Sequence, residues 1–181
     1  MIQTVIQAIS ILALLGFIAL VIICLLYIAK RLFKLRYYDT LTKFVAPLSY
    51  ELVFTLSFVA TLASLFLSEI AKFPPCILCW YQRIAMYPQV PLLYVAIMRK
   101  ERVLKAYLLV LNAIGGIIAL YHYSLHVLPR TTTILLPCAK AYAGVPCDKG
   151  YEFFFGFMTF PLMATIVFVL NILLLSLKRV R

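Results

Sequence analysis

The chain has 181 residues, 65% of them hydrophobic and only 13% charged, with a formal net charge of +11. A water-soluble domain of this size does not hide so much apolar surface, so composition alone points to an integral membrane protein. The positive charge does not indicate a nucleic-acid binder, because the basic residues stand in short clusters between apolar runs and leave no folded domain to present a basic face.

The first apolar run covers about Ile2 to Ala29, with only Gln3, Thr4, Gln7 and Ser10 as polar interruptions. It is long enough to cross a hydrocarbon core of ~30 Å. A cleaved signal peptide carries basic residues ahead of its apolar segment. Here Lys30, Arg31, Lys34 and Arg36 follow it, which predicts a retained span with its N-terminus outside. Cys24, deep in this run, is read as a small packing residue. A second span is expected from about Phe44 or Ala46 to Ser68, with Glu51 as a snorkelling interfacial carboxylate. Pro74 and Pro75 then end any preceding helix and suit the entry to a new one.

The third span, Trp80 to Met98, should be kinked by Pro88 and Pro91, which remove backbone donors. A fourth runs from about Ala106 or Leu108 to Val127. Its Gly115 and Gly116 allow close helix contact, and Asn112 offers an interhelical hydrogen bond. His122 and His126 are one turn apart near its end and share a face at the depth of Arg83. The loop over residues 129–150 carries Cys138 and Cys147, with Gly144 between them for a turn. A fifth span is expected from about Phe153 to Leu177.

Five spans alternate the loops between two sides. Lys30–Lys43, Arg99–Lys105 and Lys178–Arg181 fall together and hold twelve Lys and Arg residues, whereas the other side keeps Lys72, Arg130, Lys140 and Lys149. The positive-inside rule makes the first set cytoplasmic and puts both cysteine pairs on the extracytoplasmic face, where disulfides persist.

The chemistry concentrates in Pro74-Pro75-Cys76-Ile77-Leu78-Cys79-Trp80-Tyr81-Gln82-Arg83. The second cysteine is expected at or near a helix N-terminus, where unpaired N–H groups favour thiolate over thiol. Arg83 follows it by four residues and therefore shares its face. Such a pair serves redox exchange, a structural disulfide or, with Cys138 and Cys147, a four-thiolate zinc site. The apolar flanks argue against zinc, so no resident metal is expected and redox is the favoured reading. Arg83 either snorkels to the interface or faces inward to bind an electron-rich group, and its closeness to a reactive cysteine favours the second. His122 and His126 are candidate proton carriers or a weak metal pair. Two dithiol pairs on one face can exchange disulfides without a metal. The chain has no flavin, haem or nicotinamide signature, so the electron sink is sought in the membrane, with a quinone as the candidate.

Ser68-Glu69-Ile70 through Phe73, and then Pro75 to Arg83, resemble the signature of the DsbB/BdbC disulfide bond formation family. His122-Tyr123, Gly144-Val145-Pro146-Cys147 and Phe155-Gly156-Phe157-Met158-Thr159-Phe160-Pro161 resemble later stretches of the BdbC branch. The resemblance implies an all-α membrane protein of the bacterial cytoplasmic membrane. Residues 44–181 would form a four-helix transmembrane bundle, and residues 1–43 an additional N-terminal helix with its basic loop. It implies that Cys138 forms a mixed disulfide with a DsbA- or BdbD-like thioredoxin-fold partner, and that Cys76 and Cys79 reoxidise the Cys138/Cys147 pair. Two electrons would then pass to ubiquinone or menaquinone, with Cys79 facing the ring, Arg83 stabilising charge on the quinone oxygen and His122 beside it. A vitamin K epoxide reductase-type enzyme is the alternative, although its CxxC comes late in the chain. A non-catalytic scaffold held by disulfides or zinc would leave Arg83 without a role.

Overall fold

The computed structural model describes residues 2–33, 37–100, 103–127, 147 and 156–177. Every regular element among the described residues is helical: α1 (Ile2–Phe33), α2 (Tyr37–Val45), α3 (Ser49–Leu65), α4 (Ile77–Met86), α5 (Gln89–Met98), α6 (Lys105–Val127) and α7 (Phe160–Ser176). Three stretches, Ile2–Leu32, Thr40–Ile70 and Lys105–Val127, are long and apolar enough to cross a membrane.

The helices begin and break where backbone donors are lost. Pro47 lies in a short 3-10 turn, Ala46–Leu48, that joins α2 to α3 without interrupting the rod. The second apolar helix therefore starts earlier than Phe44 or Ala46. In the third expected span Pro88 and Pro91 have a stronger effect than a kink, because α4 stops at Met86 and α5 restarts at Gln89. The carbonyls exposed at this break find other donors. Val90 N–H donates to Tyr87 O at 3.2 Å, and the Gln89 side-chain amide donates to Ala85 O at 2.9 Å.

Packing inside the bundle is anchored by buried amides. Asn112 Nδ2 on α6 donates to Gln89 Oε1 on α5 and to Leu108 O, both at 2.7 Å. Asn171 Nδ2 on α7 donates to Asn112 Oδ1 at 3.1 Å and to Ser57 Oγ on α3 at 3.0 Å. Four helices are thus joined by one polar chain, in surroundings where water offers no competing partner. Beside it, Tyr50, Val53, Leu93, Ala96, Leu108 and Leu175 form an apolar cluster. Asn112 is the interhelical hydrogen-bond group expected from the sequence.

Close approach of α6 and α7 depends on Gly115, because a Cβ there would clash with the ring edge of Phe168. At the adjacent Gly116 a Cβ would meet Phe168 Cβ at 3.6 Å, an ordinary contact. Near the same level Ala85, Met86, Ala119 and Phe168 form a second buried cluster.

The long first helix leans on α7: Ala13, Leu14, Phe17, Leu20 and Ile23 pack against the cluster of Met158, Ile166 and Leu170. Its other face leaves Leu15, Ile22 and Leu25 exposed, as suits a helix bathed in hydrocarbon. Cys24 lies on an exposed face, which corrects its reading as a packing residue.

The contrast between the two glycines yields a test. Gly115→Ala should destabilise the protein by about 1–3 kcal/mol through overpacking against Phe168. Gly116→Ala should change stability far less, and reversible unfolding in mixed micelles compares the two.

Candidate active site

The path into the site is set by how α3 ends. A π-helical turn over Phe66–Ile70 widens the last turn, closed by Ala71 N–H donating to Phe66 O at 2.9 Å. Lys72 then takes a left-handed conformation with φ of 59°, which stops the helix, and Phe73 N–H returns to Leu67 O at 3.0 Å. Pro74 and Pro75 carry the chain on to Cys76. Cys76 is extended, with φ of −73° and ψ of 174°, and serves as the N-cap of α4. Its sulfur accepts the N–H of Cys79 at 3.4 Å. The first cysteine therefore caps the helix, and Cys79 lies within the first turn.

The two sulfurs are 3.2 Å apart, in hydrogen-bond contact. His122, buried on α6, places Nε2 3.6 Å from Cys76 Sγ. The amide nitrogen of Gln82 lies 3.0 Å from Nδ1 of the same ring. An amide nitrogen only donates, so Nδ1 accepts and the proton of neutral His122 sits on Nε2, facing the sulfur. The hydrogen bond with Cys79, aided by burial, pushes the Cys76 thiol at the helix cap up to about 12. When the pair ionises once, the proton stays on Cys76.

Arg83, one turn beyond Cys79, turns back toward α3. Its Nε donates to Ser64 Oγ at 3.0 Å and its Nη2 to Ser64 O at 3.1 Å, while Tyr87 Oη donates to the same Ser64 hydroxyl at 3.2 Å. The guanidinium carbon also sits 5.2 Å from the centroid of the Trp80 ring. These contacts hold Arg83 against α3. It lines a cavity of about 410 Å³, together with Cys76, Cys79, His122 and His126. Apolar side chains of α1, α3 and α7 make up most of the remaining wall.

Of the second cysteine pair, Cys138 lies outside the described residues. Cys147 is buried and packs in one cluster with Cys76 and Leu78. His126 Nε2 lies 2.8 Å from Cys147 O, and since a carbonyl only accepts, the histidine donates. The two histidine rings meet edge to face at 5.1 Å. A cysteine predicted in the loop over residues 129–150 thus stands against the CxxC pair. The donor atoms of Cys76, Cys79 and His122 lie within 4.8 Å of one another, so the same groups could hold a thiophilic cation once the thiols are deprotonated. The Arg83 charge in the same cavity opposes that use.

Sequence reasoning missed Ser64, Tyr87 and Gln82. Ser64 carries no signal until α3 and α4 are packed together. Gln82 and Tyr87 had one: they lie three and eight residues beyond Cys79 on a helix whose register was already fixed.

The profile of a family described as "Disulfide bond formation protein DsbB" matches residues 47–177. The chain is 44% identical over 113 residues to a probable disulfide formation protein C 1 of Bacillus cereus, covering 62% of this chain and 78% of that protein. It is 43% identical over 121 residues to the disulfide bond formation protein C of Bacillus subtilis, covering 67% and 85%. An SPbeta prophage-derived disulfide bond formation protein B of Bacillus subtilis is 39% identical over 119 residues. No solved structure matches the chain.

The coupling of the two thiols predicts a titration result. In the reduced Cys79→Ala variant the main cause of the Cys76 shift is gone, so its pKa should fall from about 12 toward the ordinary thiol range. Thiolate absorbance followed against pH measures it. An unchanged Cys76 titration would show that burial alone sets the value.

Proposed function

Because the chain belongs to the DsbB disulfide bond formation family, we propose that it is a membrane thiol:quinone oxidoreductase that reoxidises a thioredoxin-fold partner. The observation that carries this reading is the cavity in which Cys79, Arg83 and His122 meet under an apolar roof. Its size falls in the range of about 300–1,000 Å³ that small-molecule sites occupy, with a few polar groups at one end and hydrocarbon elsewhere. That distribution fits a quinone, which has polar oxygens on a ring and an apolar tail.

The exchange sequence conserves atoms and electrons. A dithiol of the partner attacks the Cys138–Cys147 disulfide, with Cys138 forming the mixed disulfide, and leaves oxidised while the loop pair becomes a dithiol. That dithiol attacks the Cys76–Cys79 disulfide, so the loop disulfide re-forms and the CxxC pair carries the two electrons and two protons. Packing of Cys147 against Cys76 supports this transfer. A bound quinone supplies the two-electron sink that returns the pair to its disulfide.

The chain's own groups prepare that last step. Cys76 keeps the shared proton, so Cys79 is the sulfur that acts as thiolate beside Arg83. Arg83, held by Ser64, presents fixed positive charge where negative charge develops on the acceptor oxygen. His122 holds a proton on Nε2 at the same sulfur pair, positioned by Gln82.

In this reading α3, the α4–α5 pair, α6 and α7 cross the membrane as a four-helix bundle, with α1 as a fifth span. The N-terminus lies outside and both cysteine pairs are extracytoplasmic, a reading that the distribution of basic residues supports.

Purified protein mixed with a reduced thioredoxin-fold partner and a soluble quinone should reduce the quinone. Cys79→Ala should abolish turnover, and normal turnover by that variant would remove Cys79 from its role. Arg83→Met should lower kcat by about 10²–10³, the scale of one lost electrostatic contact. Arg83→Lys should recover part of that loss by restoring the charge without the fork that grips Ser64.

A further inference from the structure

The family profile begins at residue 47, which leaves α1 outside the matched region. Yet α1 does not stand apart from the site. Ile9, Leu12, Ala13 and Gly16 line the same cavity as Cys79 and Arg83. From these observations, and resting on the quinone reading above, we propose that α1 forms one wall of a groove that binds the apolar tail of the quinone. The first helix thereby selects for tailed acceptors.

The cavity has the shape and polarity for this role. Its polar groups gather where Ser64 of α3 and Phe160 of α7 line it. From there the lining continues along α3 to Thr55 and along α7 to Leu170. These stretches correspond to about 14 Å and about 15 Å of helix rise. A quinone ring alone does not need so long an apolar extension. An isoprenoid chain does, since each buried unit removes further apolar area from competing lipid contacts and adds close packing.

Three of the walls offer small side chains along this path: Ala13 and Gly16 on α1, Ala60 and Ala63 on α3, and Ala164 on α7. Gly16 brings α1 close to α7, where a Cβ would meet Ile166 Cγ2 at 3.3 Å. Without α1, the face formed by Leu56, Ile166 and Leu170 would open to lipid, and the tail would gain nothing by leaving it.

The test uses Trp80, the single tryptophan of the chain, which lies against Arg83, so that a quinone bound beside Arg83 should quench its fluorescence. The full-length protein is kept oxidised, so that it does not reduce the ligand. It is titrated in micelles with a menaquinone bearing an isoprenoid tail and with dimethylnaphthoquinone, which has none. Gly16→Leu and Ala13→Leu should each weaken binding of the tailed quinone by about tenfold, with little change for the tailless one. Leu25→Phe, on the exposed face of α1, should change neither.

Thermal unfolding shows whether each variant folds. Ala13→Leu enlarges a position that already carries a Cβ, and keeps the test valid if Gly16→Leu does not fold. Equal affinities for both quinones in wild type and in the Ala13→Leu variant would overturn the proposal, leaving the groove as a place for ordinary lipid chains. No quenching by either quinone, with no quinone reduction, would instead remove the quinone reading on which the proposal rests.

Discussion

A guanidinium among apolar helices has to be answered by protein groups, and the site follows from how Arg83 is answered. Ser64 supplies both its hydroxyl and its carbonyl, so one residue of α3 fixes the cation in position and direction. Tyr87 shares the same hydroxyl, which draws the end of α4 into the arrangement. The face that carries Cys79 is thereby turned toward the cavity and away from lipid. Without the Ser64 contacts, the long side chain would be free to seek the interface.

The protein separates two polar regions that serve different ends. The Ser57–Asn171–Asn112–Gln89 chain ties four helices together and faces no cavity among those described. The cysteine, histidine and arginine cluster lies nearer the other end of the helices and lines open space. Rigid amides hold the bundle, so the reactive groups do not also have to hold it. The break at Tyr87–Pro88 sits between these regions, where α4 can be oriented by the site and α5 by the amide chain.

The sequence displayed the parts whose signals are local. Apolar run lengths marked the helices, the spacing from Cys79 to Arg83 put both on one face, and two prolines announced the start of α4. Asn112 stood out as the polar residue of an apolar run. What was not legible depends on distant segments meeting. Ser64 is an ordinary serine until Arg83 reaches it. Whether a proline pair bends or divides a helix depends on which neighbours accept the freed carbonyls, and here Gln89 lets it divide. Cys24 was misjudged because a small sulfur in an apolar run is equally at home against protein or lipid. The expectation for Cys138 falls outside the described residues, whereas Cys147 lies against the CxxC pair.

The widened turn at Phe66–Ile70 has a consequence for how this chain can vary. A π turn holds one residue more than an α turn, and each residue advances a helix by about 100°. Deleting any single residue of that turn would restore the regular spiral and swing the linker, with both prolines, about a quarter-turn around the axis of α3. Cys76 would then be delivered to a different side of the bundle from His122. The distance in sequence between Ser64 and the CxxC motif therefore acts as a register mark, and chains sharing this site should tolerate substitutions there more readily than changes of length.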